Sequence, residues 1–212
     1  MRYRDRHHAG ELLAGAVAAL EPVDPVVYAL PRGGVPVAFE VAAALGCPLD
    51  VLVVRKVGVP FQPELAMGAI AEGGIVIRNS DVIAHAFIEE DEFAAVVEEE
   101  SRELTRRIEM YRGDLPAISP SGHTAIVVDD GLATGSTALA AVSVLGRRGA
   151  AAVWLAVPVA PRETLPALQR ATERVIALQQ PRQFGAVGVW YRDFTQTSDD
   201  EVRDLLVRSR LA

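Results

Sequence analysis

Ile126-Val127-Val128-Asp129-Asp130-Gly131-Leu132-Ala133-Thr134-Gly135-Ser136-Thr137 decides how this chain folds. The first three residues are apolar and β-branched, the composition of a buried strand. Two adjacent carboxylates, Asp129 and Asp130, follow at its end. A run of small and hydroxyl residues comes next, and then an apolar helical pattern from Ala138 to Arg148. Strand, small-residue loop and helix in that order make the unit of an α/β fold, whose ligands bind at the carboxyl edge of the sheet. The loop offers backbone N–H groups and the hydroxyls of Thr134, Ser136 and Thr137 at a helix N-terminus, which suits a phosphate dianion. Carboxylates beside a phosphate cradle would repel the phosphate. They make sense gripping hydroxyls, or a metal, next to it. A phosphorylated sugar with a vicinal diol satisfies both needs.

The same alternation extends outward. Asp5 to Leu20 predicts a helix capped by Asp5, with Leu12, Leu13, Ala16, Val17 and Leu20 on one stripe. Val26 to Leu30 predicts a buried strand that stops at Pro31-Arg32-Gly33-Gly34. Val35 to Leu45 continues as a helix ended by Gly46, and Leu49 to Val54 as the next strand. Val57 to Gly74, rich in Gly and Pro, predicts mostly loop, with a hairpin as the alternative, before a short strand at Ile75 to Ile77. Phe87 to Arg112 is a charged helix with Phe93, Val97, Leu104, Ile108 and Tyr111 at helical spacing, and Glu98–Arg102 and Glu103–Arg107 are favourable i,i+4 pairs. A solvated helix face accounts for these charges. Downstream come a strand at 151–159, a helix at 162–171, a strand at 175–178, a polar and aromatic tail at 179–200, and a last helix at 200–209. The expectation is one α/β domain over residues 1–212 with a mostly parallel sheet flanked by helices.

Composition narrows the function classes. Half of the 212 residues are apolar and 23% are charged, so a filled core is expected and disorder of the whole chain is not. The net charge of −7 argues against gripping a nucleic-acid backbone over a broad surface. The one cysteine, Cys47, excludes an intramolecular disulfide and a cysteine-rich zinc site. No apolar run is long enough to span a bilayer, so a soluble, cytoplasmic protein is expected. Lys56 is the sole lysine among 21 basic residues, a scarcity that codon bias toward Arg explains. The four histidines show no metal spacing.

Competing phosphate and hydrolase motifs fail at 126–137. A triphosphate-binding loop requires Gly-Lys-Ser/Thr, a dinucleotide fingerprint requires G-x-G-x-x-G, and a serine-hydrolase elbow requires G-x-S-x-G; none is present. The segment resembles the 5-phosphoribosyl-1-pyrophosphate (PRPP) signature of type I phosphoribosyltransferases. That resemblance implies that Asp129 and Asp130 hold the ribose 2′- and 3′-hydroxyls. It also implies that Gly131, Ala133, Thr134, Gly135, Ser136 and Thr137 form the PRPP phosphate loop. Leu30-Pro31-Arg32-Gly33-Gly34 is similar to the family's pyrophosphate loop, which often carries a non-proline cis peptide; here it would fall at Pro31–Arg32. Physically, glycines admit close backbone approach and Arg32 is a fork donor for phosphate oxygens. Val53-Val54-Arg55-Lys56-Val57-Gly58, closing at Ala71-Glu72-Gly73-Gly74, is similar to the flexible catalytic loop of orotate and adenine phosphoribosyltransferases. This implies Arg55 and Lys56 on pyrophosphate and Glu72 as the general acid/base, with Glu64 as its substitute.

The departures matter. Hypoxanthine-guanine enzymes carry an Asp where this chain has Ala133, so the turn is closer to the adenine type. In hypoxanthine-type enzymes a C-terminal hood contacts the base. Here the corresponding tail holds Phe184, Trp190, Tyr191, Asp193 and Phe194. Trp190 and Tyr191 would stack on a heterocycle and Asp193 would accept from its N–H groups, or the aromatics anchor the tail in the core. Residues 78–116 are a helical insertion that could cover the site or make a homodimer. Over nearly its full length the chain is similar to a group of uncharacterised bacterial phosphoribosyltransferases, through Tyr3-Arg4-Asp5-Arg6, Arg55-Lys56-Val57-Gly58, Pro63-Glu64-Leu65-Ala66 and Tyr191-Arg192-Asp193-Phe194. The implied activity is Mg²⁺-dependent transfer of 5-phosphoribosyl from PRPP to a purine, pyrimidine or related base, with pyrophosphate released. Mg²⁺ would be held mainly by PRPP itself, with Asp129 and Asp130 nearby. A non-catalytic PRPP or nucleotide sensor is the alternative, and a hydrolase or phosphorolytic enzyme on the same sugar-phosphate site a weaker third.

Overall fold

A computed structural model describes residues 1–211. Five parallel strands make the main sheet: β1 (Pro25–Ala29), β2 (Leu49–Val51), β6 (Thr124–Val128), β7 (Ala152–Val159) and β8 (Arg174–Gln179), in the spatial order β2-β1-β6-β7-β8. β1, β6 and β7 are buried almost throughout, as continuous apolar runs covered on both faces must be. Two core layers follow. One face carries α1 (Arg6–Ala18), α2 (Gly34–Leu45) and α7 (Asp199–Leu211). The other carries α5 (Ser136–Arg147) and α6 (Leu165–Ala171). Asp5 caps α1 by accepting from the His8 N–H at 2.8 Å, and Gly46 ends α2 in the left-handed conformation.

The central region departs from expectation. The strand expected over Leu49 to Val54 stops at Val51. Leu52 and Val53 stay buried and point to opposite core layers, as alternate residues of an extended chain do, so the apolar run outlasts the strand. The segment expected to be mostly loop is a hairpin, the alternative that its composition left open. β3 (Val54–Val59) and β4 (Gln62–Ala71) pair antiparallel, and β5 (Ile75–Arg78) completes a second, three-stranded sheet. Gly58 and Gly68 are strand residues here. A Cβ on either would lie 2.5 Å from a carbonyl oxygen, of Pro63 and Ile77 respectively, so close backbone approach rather than flexibility explains them.

A short helix that the sequence did not suggest, α3 (Ser80–His85), precedes the long one, and Asn79 caps it. The long helix α4 starts at Glu90 and runs to Arg112, with a capping box between Glu89 and Glu92. Phe93, Leu104 and Tyr111 are buried, while Val97 and Ile108 pack half-buried against them. Arg112 is 6% exposed. Its Nε donates to Asp50 at 3.1 Å, one Nη to Glu72 at 2.6 Å and the other to the Val51 carbonyl at 3.2 Å. This ion cluster ties the end of α4 to both sheets.

Candidate active site

The carboxyl ends of β1 and β6 deliver two loops to one edge of the main sheet. The first contains the cis peptide Pro31–Arg32, then Gly33 and Gly34 at the start of α2. The second is Asp129 to Gly135, leading into α5. These loops touch. A Cβ on Gly33 would sit 2.0 Å from Asp130 Oδ2, and one on Gly34 would sit 2.7 Å from the Val128 carbonyl. Any side chain at Gly33 would therefore displace the Asp130 carboxylate. Gly135, at φ +76°, takes the left-handed conformation that starts α5. Thr134 and Ser136 share a hydroxyl–hydroxyl bond of 3.1 Å on the exposed side of that turn.

The two carboxylates differ in environment. Asp129 Oδ1 accepts from the Asp130 N–H at 2.8 Å. Burial, and then the neighbouring Asp130 charge, push the Asp129 carboxyl well above the usual carboxylate range. Burial also raises Asp130, but Arg6 offsets the shift. Arg6 Nε donates to Asp130 Oδ2 at 2.8 Å and its Nη1 to the Thr195 carbonyl at 2.7 Å, while the guanidinium lies 4.0 Å from the Phe194 ring centroid. The sequence reading missed Arg6. Its helix position gives no sign of a partner 124 residues away.

A cleft of about 490 Å³ opens beside these groups. Pro31, Arg32 and Gly33 form one wall, with Arg6 and Asp130 at its base. Phe194, Gln196, Thr197 and Asp199 come from the tail, and Arg106, Arg107, Met110 and Tyr111 from α4. Arg32 lies 3.6 Å from Asp199, whose Oδ1 is buried and accepts no hydrogen bond. Among the described residues, no group of three or more His, Cys, Asp or Glu side chains is arranged to hold a metal. A divalent ion here would need oxygens from a ligand, which matches the way Mg²⁺ pairs one or two carboxylates with substrate phosphates.

The remaining sequence-predicted residues lie elsewhere. Arg55 and Lys56 are consecutive on β3, and the pleat separates them. Arg55 is bound to Glu100 of α4 at 2.5 Å. Lys56 pairs with Glu64 at 3.2 Å and borders a small crevice with Ser136 and Thr137. Glu72 is held by Arg112 and lines a separate cavity under α4. Of the three tail residues expected at a base, none lines the cleft. Tyr191 is 1% exposed, packs tilted between the rings of Tyr3 and Phe194, and donates its hydroxyl to the Asp130 carbonyl at 2.5 Å. Burial raises its phenol pKa. Trp190, in the 3₁₀ turn Val187–Trp190, stacks on Phe184 and donates to its carbonyl. Asp193 accepts from the N–H and hydroxyl of Thr195, which lowers its pKa.

The phosphoribosyl transferase domain model matches residues 6–189. Two Mycobacterium tuberculosis proteins, from strains H37Rv and CDC 1551 and each named "Putative phosphoribosyl transferase", are 49% identical over 207 residues. The match covers 98% of this chain and 47% of each relative, so the chain spans about half their length. The crystal structure of TT1426 from Thermus thermophilus superposes with a TM-score of 0.90 at 42% identity, covering 98% of this chain and 99% of that one. AQ2163 from Aquifex aeolicus shares the fold more distantly, with a TM-score of 0.52 at 12% identity over 95% of this chain and 84% of that one.

Proposed function

Since the chain belongs to the phosphoribosyl transferase domain family, we propose that it transfers 5-phosphoribosyl from PRPP to a nitrogenous base and releases pyrophosphate. The carrying observation is the contact between the two loops at Gly33 and Asp130. It supports an order of stations in which Arg32-Gly33-Gly34 meets Asp129-Asp130, and Ala133 to Thr137 follow along the same loop into α5. PRPP presents its groups in the same order, with pyrophosphate at C1, the diol on C2 and C3, and the phosphate on C5.

In this reading the Asp129 and Asp130 carboxylates receive the ribose hydroxyls. Arg6 keeps Asp130 in place and Tyr191 holds its backbone from below. Loop N–H groups and the hydroxyls of Thr134, Ser136 and Thr137 take the 5′-phosphate, with Lys56 beside them. As the C1–O bond breaks, charge develops on the leaving pyrophosphate and positive character on C1. Arg32 and the amides of its loop are positioned to stabilise the leaving charge. The base nitrogen then forms the C1–N bond and loses a proton. Asp199, which lines the cleft with its Oδ1 3.6 Å from Arg32 and accepting no hydrogen bond, is the carboxylate we assign to receive it. Glu72 is hydrogen-bonded to Arg112 at 2.6 Å and lines a different cavity. Mg²⁺, carried in with PRPP near Asp129 and Asp130, would supply charge neutralisation on the pyrophosphate.

The test is pyrophosphate release from PRPP and Mg²⁺ against a panel of purines, pyrimidines and pyridine carboxylates. An Asp129→Asn/Asp130→Asn variant serves as the control. Release that depends on one base and disappears in the variant supports the proposal. PRPP binding with no release for any base favours a sensor, and failure to bind PRPP ends the reading.

A further inference from the structure

Three basic side chains face the cleft from its upper part: Arg32 from the glycine loop, and Arg106 and Arg107 from α4. The last two are consecutive on a helix and would normally diverge. Glu103, one turn earlier, draws them together. Its Oε2 accepts from Arg106 Nε at 2.7 Å, and its Oε1 accepts from Arg106 Nη2 at 2.9 Å and Arg107 Nε at 2.7 Å. The two guanidinium groups hold the Glu103 carboxyl down to about 2, so it remains an anion throughout the working pH range. One carboxylate set against two guanidinium groups leaves a net positive charge at the cleft mouth. Arg107 Nη1 and Nη2 donate to no protein acceptor among the described residues, and Arg107 is only 36% exposed.

The cations expected to oppose Arg32 are in other places. Arg55 is committed to Glu100, about two turns before Arg107 on α4. Lys56 borders Ser136 and Thr137, at the phosphate-loop end of the site. Apart from Arg6 on α1, α4 is the element that brings further basic side chains to the cleft Arg32 lines. Forked, planar donors suit phosphate oxygens better than a single ammonium does.

We propose that Arg106 and Arg107, set in place by Glu103, form the second jaw of the pyrophosphate clamp opposite Arg32. This rests on the phosphoribosyl-transfer reading of the cleft and adds to it a role for the 78–116 helical segment. The helix face that looks like ordinary solvated charge in the sequence becomes part of the binding site. Arg106 and Arg107 are the donors, and Glu103 is a positioning residue.

Calorimetry separates the two levels of the argument. Mg²⁺–pyrophosphate and ribose 5-phosphate are titrated separately into the wild type, Arg106→Gln/Arg107→Gln, and Arg102→Gln. Arg102 lies on the same helix, is 73% exposed and does not line the cleft, so it controls for loss of helix charge. The double variant is expected to weaken pyrophosphate binding at least ~10-fold, because charge-assisted hydrogen bonds are lost. Ribose 5-phosphate affinity should stay within about 2-fold, and Arg102→Gln should leave both ligands within about 2-fold. Unchanged pyrophosphate affinity in the double variant, with both ligands bound by the wild type, overturns this inference and leaves the phosphoribosyl reading standing. A loss confined to orotate or nicotinate, titrated with ribose 5-phosphate present, also overturns it and gives the arginines to a carboxylated base. If the wild type binds neither pyrophosphate nor ribose 5-phosphate, the cleft reading falls first and the clamp with it.

Discussion

Replacing Arg6 with alanine should reveal how the site tolerates two adjacent buried carboxylates. The Arg6 and Asp130 side chains are 10% and 13% exposed and meet at 2.8 Å. Removing one member of a buried ion pair costs about 3–5 kcal/mol, chiefly because the remaining charge is stranded. Residual solvent contact on both sides places the expected loss near the lower figure, ~3 kcal/mol. For a chain of this size that lowers Tm by about 6–12 °C. The pH dependence has a definite sign. Burial already raises the folded-state pKa of Asp130, and Arg6 is the offsetting charge. Without Arg6 the folded pKa rises further above the unfolded value of about 3.9. The resulting destabilisation is absent below the unfolded pKa, accumulates as pH rises toward the folded pKa, and is complete above it. Arg6→Ala should therefore lose most stability at neutral pH and recover part of it toward pH 4. Adding Asp130→Asn to Arg6→Ala should restore most of the neutral-pH loss, since a neutral amide strands no charge. Urea unfolding of the four variants at several pH values measures this cycle. A loss that is independent of pH and unrescued by Asp130→Asn would refute the electrostatic reasoning and reduce Arg6 to a packing residue over Phe194.

Gly33→Ala forces a methyl group against Asp130 Oδ2, and a clash of this kind costs about 1–3 kcal/mol. A drop in Tm together with a loss of PRPP affinity, read by calorimetry, is the expected pair of results. Tyr191→Phe removes the donor to the Asp130 carbonyl and should lower stability by about 1–3 kcal/mol in a denaturant titration, with no change in which bases are accepted. Arg112→Met removes the nearer guanidinium from Asp50, which is 1% exposed and keeps Arg210 at 3.8 Å and the Ile118 N–H, and should cost about 3 kcal/mol, visible as a lower urea midpoint. Lys56→Gln should weaken ribose 5-phosphate binding by about 3-fold, the scale of a partly exposed charge contact; an effect on pyrophosphate alone would contradict the position of Lys56 beside Ser136 and Thr137.

The parallel sheet was legible because its strands are nearly unbroken apolar runs ending in loops of definite chemistry. Val26 to Leu30 and Ile126 to Val128 each lead into one half of the site. The hairpin was harder to read. Gly58 and Gly68 carry the composition of a loop, and their actual reason, a carbonyl 2.5 Å from any Cβ, exists only once the strands are paired. Arg55 and Lys56 form one motif in the sequence, but strand geometry sends them to different partners. Glu72 fits a general acid/base until Arg112, 40 residues away, binds it. In the tail, aromatic composition suited both stacking on a base and anchoring. Tyr191 is an anchor, and the side chains that reach the cleft are Phe194, Gln196, Thr197 and Asp199. Arg6, Arg106 and Arg107 sit in helical patterns whose local spacing explains them completely. Only distant contacts distinguish them from ordinary surface charge.

The bond from Arg6 to the Thr195 carbonyl joins residues 189 positions apart, and Tyr3 pairs with Tyr191 beside it. This closure has a consequence during synthesis. At a ribosomal rate of about 5–20 residues per second, the 65 residues from Gly131 through Thr195 take roughly 3–13 s to add. Over that interval a nascent chain holds both aspartates, the glycine loop and Arg6, but lacks the roof of the cleft and the tyrosine beneath Asp130. The cleft thus becomes whole only once Arg6 and Thr195, 189 positions apart, are both present and paired.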